Sequence, residues 1–106
     1  MNQLFLALLA ALVLIIGCAS LGGTNVESPS DECVSICMQQ KETADYSTGP
    51  CLANPLPKNP DYVCDIAHFP RSPMDDIPKN QCSEFLQGNA HHYIEANPDC
   101  HIIGVY

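Results

Sequence analysis

The sequence predicts a small disulfide-rich α+β domain, with an N-terminal helix, a Pro-rich irregular middle, a short second helix and a C-terminal β-hairpin. Three observations lead there. Cysteines at positions 33, 37, 51, 64, 82 and 100 span the chain downstream of a long apolar start. Seven prolines fall between Gly49 and Pro78, a density that interrupts regular structure because each lacks a backbone donor and restricts the residue before it. Apolar residues occupy 16 of the first 19 positions but only 33 of the 87 that follow. A core that thin seldom supplies more than roughly 3–5 kcal/mol of net stability, and three disulfides at about 2–4 kcal/mol each match or exceed it.

The elements follow in order. Ser28-Pro29-Ser30-Asp31-Glu32 combines a hydroxyl cap, a first-turn proline and acidic residues at the positive end of the dipole, and predicts a helix over 31–42. Cys33, Ile36 and Cys37 share its buried face. Cysteines four apart on a helix project along parallel vectors, a poor geometry for bridging each other. Cys33 and Cys37 therefore each reach a different distant segment, with the partners left open. The stretch 49–78 reads as loop, apart from a short strand over 62–67 pinned by Cys64. "NQCSEFLQG", 80–88, predicts a two-turn helix with an Asn cap, a Gly terminator and Cys82, Phe85 and Leu86 facing inward. Segments 91–95 and 101–105 flank Asn97-Pro98-Asp99-Cys100, a hairpin with proline at the second turn position.

The first residues concern location. Leu4 to Ile16 is an unbroken apolar run of 13, the length of a signal-peptide core rather than of the roughly 20-residue span a membrane needs. Gly17 and Ala19 suit a signal peptidase that cuts before Ser20, making 1–19 the signal peptide. Ile15-Ile16-Gly17-Cys18 alternatively resembles a lipobox, with 1–17 removed and Cys18 acylated. Either route takes the seventh cysteine out of the fold. Residues 20–30, short-sided and without periodicity, read as a flexible linker ahead of the stapled domain, 31–106.

Charge and motifs narrow the function. Twelve acidic residues against Lys41, Lys58, Lys79 and Arg71 give a net charge of −8. Such a surface repels nucleic acid and anionic lipid headgroups, so a membrane enters only through a lipid anchor on Cys18. No nucleophile elbow, phosphate loop or dinucleotide fingerprint is present, which points away from an enzyme and implies no cofactor. His68, His91 and His101 are the candidate metal ligands. His91 and His92, adjacent on a strand, should point to opposite faces and not hold one ion together. Asp75-Asp76 reads as a solvated loop. "DIAHFPRSPMDDIPKNQ", between Cys64 and Cys82, carries the only arginine, and a stiffened loop presenting Arg71 has the form of a protease inhibitor.

"GPCLANP", "DYVCDIAHFPR" and "NQCSEFLQGNAHHYIEANPDC" resemble a set of small exported cysteine-containing archaeal proteins of uncharacterised function, over about residues 33–106. The resemblance implies a prokaryotic exported domain with intramolecular disulfides, and no activity or site residues.

The sequence thus leads to an exported, non-enzymatic binding or structural domain, secreted or lipid-anchored to the outer face of the cell membrane, whose partner is an extracytoplasmic protein or cell-surface component. The alternatives are a protease inhibitor acting through Arg71 and a secreted metal-binding protein. The intact mass of the exported protein is expected to match a chain beginning at Ser20 and lacking the hydrogens of six thiols. A lipid-sized increment on Cys18 marks the anchored form, and six alkylatable thiols in the native protein contradict the disulfide framework.

Overall fold

The computed structural model describes residues 26–106, so the expected signal peptide, Cys18 and most of the expected 20–30 linker lie outside the described residues. Helix α1 runs over Pro29–Gln40. Ser28 Oγ accepts the Asp31 N–H at 3.1 Å, and Pro29 occupies the first helical position, so the helix begins two residues before Asp31. It ends where the N–H groups of Thr43 and Ala44 both turn back onto the Gln40 carbonyl. Glu32 does more than face the dipole. Its buried carboxylate accepts the Lys58 N–H at 2.8 Å and the Asn59 side-chain amide at 2.9 Å, holding a distant loop against the helix.

A four-stranded mixed sheet follows, in the order β1-β2-β3-β4, built from β1 (Cys51–Ala53), β2 (Tyr62–Ile66), β3 (His92–Ala96) and β4 (Ile102–Val105). The outer pairs are antiparallel and the central β2–β3 pair is parallel and in register. Parallel neighbours need a long crossover. Here it carries two short 3₁₀ turns, Pro73–Asp76 and Pro78–Asn80, and a one-turn helix α2, Ser83–Leu86.

Two expectations need correction. The stretch 49–78 is not all loop, because β1 fits between Pro50 and Pro55 at the sheet edge, where missing donors are tolerated; Pro50 still accepts from the Ile66 N–H at 3.0 Å. The second helix is one turn rather than two. Asn80 belongs to the preceding 3₁₀ turn, Cys82 is extended ahead of the helix, and the Glu84 N–H is met by Asn54 Oδ1 from another segment. The C-terminal pair forms the expected antiparallel hairpin, and β3 also pairs with β2 as a central strand of the sheet.

Alternation sorts the side chains. On the first face Cys64, Ile66, Ile94 and Ala96 pack beneath α1 with Cys33, Cys37, Leu56 and Tyr46. Disulfides Cys33–Cys64 and Cys37–Cys100 fasten the helix there, each to a different distant segment. On the second face Val63, Cys82 and Ala90 form a smaller cluster with Cys51, Phe85 and Tyr93. The register slips between Cys51 and Ala53. An extra residue there lets two side chains that would share a face point to opposite ones. Ala53 joins the α1 side while Cys51 reaches Cys82 on the other.

Cys33–Cys64 and Cys51–Cys82 both span 31 residues, so their constraint on the unfolded chain, about 3–4 kcal/mol, is the same. They differ in packing, since Cys33 and Cys64 have no exposure and Cys51 is half-buried. Replacing Cys33 and Cys64 together by alanine should cost about 1–2 kcal/mol more in urea unfolding than replacing Cys51 and Cys82. Equal losses would show that the core bridge adds nothing by its packing.

Candidate functional site

Most of the chemistry lies on the second face. Parallel register sets Val63 beside Tyr93 and Asp65 beside Glu95, all four directed toward the crossover. The crossover covers them incompletely. It contributes Arg71, Gln81, Cys82, Phe85 and Leu86 to the walls of a cleft of about 150 Å³. Phe85 meets Tyr93 edge-on with ring centroids 4.7 Å apart, and Tyr106 stacks on the same Tyr93 at 4.6 Å. The result is a cleft lined by aromatic rings and a pair of acidic residues.

The two acids are treated differently. Glu95, 5% exposed, receives Arg71 Nη1 at 2.9 Å. The same guanidinium gives Nε and Nη2 to Asp76, each at 3.0 Å. These two carboxylates hold Arg71 charged, Glu95 more strongly than Asp76. Asp65 has no such partner. Its Oδ1 is sealed from solvent without a hydrogen bond, the one buried side-chain nitrogen or oxygen so placed among the described residues. Burial pushes its carboxyl up to about 8, the charges of Glu95 and Asp75 add to the rise, and Arg71 opposes it. Burial likewise raises the Tyr93 hydroxyl, with Glu95 and Tyr106 adding to the effect.

Behind them Asp75 is a designed acceptor rather than part of a solvated loop. It is 2% exposed and accepts the N–H groups of His68 and Ser72 at 2.9 Å, with His68 Nδ1 at 2.8 Å. Burial alone would raise it, but the bonds from His68 and Ser72 outweigh that and leave it below the usual carboxylate range. Gly49 makes room for this contact. Its φ is 65°, and a Cβ there would lie 2.7 Å from Asp75 Oδ1.

The other sequence candidates are scattered. Cys82 and Arg71 reach the cleft, His68 is on Asp75, and exposed His101 sits at the β3–β4 turn. His91 and His92 do not diverge as expected: His91 precedes β3, and both rings turn toward Asp61, His91 through a direct hydrogen bond and His92 at 3.7 Å. Bonding to His91 lowers the Asp61 carboxyl. Among the described residues no group of three His, Cys, Asp or Glu converges to hold a metal, and no helix is long and apolar enough to cross a membrane. Sequence reasoning missed Asp65, Tyr93 and Glu95. Their signal was the phase of "YVCDI" and "HYIEA", each placing one acid on the face opposite its buried Cys or Ile. Comparison with protein-family models, curated proteins and solved structures finds no match.

Asp65 makes stability depend on pH. Unfolded, it ionises near 3.8; folded, it keeps its proton to about 8. Between those values the folded state binds more protons than the unfolded one, so this contribution is complete at acid pH and is lost as pH rises to about 8. Urea unfolding with the disulfides intact should show wild type losing stability relative to Asp65→Asn from about pH 4 to about pH 8 and no further above. Parallel profiles would contradict the raised Asp65 carboxyl.

Proposed function

We propose that this chain is a non-enzymatic extracytoplasmic binding domain whose ligand occupies the cleft between the β2–β3 face and the crossover. The observation that carries this reading is Asp65. Buried polar atoms in folded proteins are nearly always paired, and the exception here belongs to a residue that lines a cavity with aromatic walls. A few polar groups converging in a largely apolar cleft is the ordinary make-up of a small-molecule site. A binding role is favoured over acid–base catalysis because Glu95, the second carboxylate, is already tied to Arg71.

The three disulfides support an oxidising, extracellular compartment. Within it we favour a secreted chain beginning at Ser20, with a lipid anchor on Cys18 as the alternative. The ligand is a free small molecule or an exposed group on a cell-surface component. Kinship with the small exported archaeal proteins belongs to the same reading. Inhibition through Arg71 is disfavoured. Its side chain is held at Nε, Nη1 and Nη2, and entering a protease pocket would strip the buried Glu95 of its partner.

Titrating the isotope-labelled protein with a library of small neutral, cationic and anionic compounds tests this. Binders should shift the NMR signals of Val63, Phe85 and Tyr93 and leave α1 unmoved. No perturbation by any compound, or perturbation confined to other surfaces, overturns the cleft reading.

A further inference from the structure

Given that reading of the cleft, its shape and charge specify the occupant. The positive charge at its edge is already offset, because each of the three Arg71 nitrogens meets Glu95 or Asp76. The acceptor side is unsatisfied. Asp65 Oδ1 lacks a donor, Glu95 is its neighbour in register, and the whole chain carries −8, which concentrates cations near the surface. Phe85 and Tyr93 line the same cleft, where an aliphatic stem packs well. Room for about 150 Å³ admits a short chain with one polar head.

We infer that the cleft binds a small primary ammonium compound, its N–H donors meeting Asp65 beside Glu95 and its carbon stem lying against Phe85 and Tyr93. An ammonium head fits this site better than a neutral donor because it pairs with the Asp65 carboxylate that its own arrival stabilises.

Binding is coupled to a proton. The groups facing Asp65 are Glu95 and Tyr93 from β3, and Arg71 and Asp75 from the crossover; without a ligand, burial and the charges of Glu95 and Asp75 outweigh Arg71 and keep its carboxyl protonated at neutral pH. An arriving ammonium stabilises the carboxylate, so the Asp65 proton leaves to solvent as the ligand enters. The ligand keeps its own proton throughout, since a primary amine titrates near 10.4, about where lysine does.

Calorimetry on the exported protein with its disulfides intact tests this, with n-butylammonium as probe and 1-butanol as its neutral counterpart. Butylammonium should bind one to one, tighten up to about tenfold per pH unit from about pH 6 and level off above about pH 8. In buffers of different ionisation enthalpy, close to one proton should be released per ligand at neutral pH. Asp65→Asn should weaken binding by roughly tenfold or more at alkaline pH and abolish proton release. Should that variant not fold, the wild-type pH profile and proton count decide alone. Butanol binding as tightly as butylammonium, or butylammonium binding without proton release, overturns the ammonium inference and leaves the cleft reading standing. Neither probe binding also overturns the inference, and the cleft reading then stands or falls on the compound library.

Discussion

The in-register parallel pairing of β2 with β3 is the constraint on which the rest of the structure depends. Because successive side chains alternate across a sheet, it places like with like on each face. Cys64, Ile66, Ile94 and Ala96 go to one side, and Val63, Asp65, Tyr93 and Glu95 to the other. Parallelism also dictates the long connection between the strands. That connection folds back over the second face with few large apolar residues, chiefly Phe85 and Leu86, and therefore leaves a cleft where a larger helix would have filled the space.

The disulfides make this division durable. Helix α1 has a narrow apolar stripe, and much of what it buries is sulfur: Cys33 and Cys37 are wholly enclosed and are bonded to β2 and to the β3–β4 turn. The third bridge works on the opposite side, tying β1 to the start of α2 and so fixing one wall of the cleft. A domain too small to hold a helix and a crossover on both faces of a sheet by hydrophobic burial alone thus gains rigidity from covalent links, as small exported domains commonly do.

What was legible in the sequence was local. The Ser28-Pro29 start, the strand around Cys64, the turn at Asn97-Pro98 and the different destinations of Cys33 and Cys37 all follow from short-range geometry. What was not legible depends on long-range pairing. β1 is three residues between prolines, with no periodicity to detect. The one-turn α2 is shaped by contacts from Asn54 and by the bridge at Cys82. The site was hidden for the same reason. Asp65 and Glu95 lie 30 positions apart, and each alone reads as a solvent-facing residue of a half-buried strand until the parallel register sets them side by side under the crossover. Arg71 stood out as the only arginine, but its pairing with Glu95 and Asp76 needs the folded sheet and loop to be seen.

The site depends on Asp65, whose Oδ1 is sealed from water and unpaired. A ¹³C NMR titration of the Asp65 side-chain carboxyl, in the ligand-free protein with all three disulfides formed, measures this directly. The structure predicts a midpoint at about 8. A midpoint near 4, the value of an ordinary solvated aspartate, would mean that the second face of the sheet is open to water and that Asp65 needs no partner, and it would contradict the site.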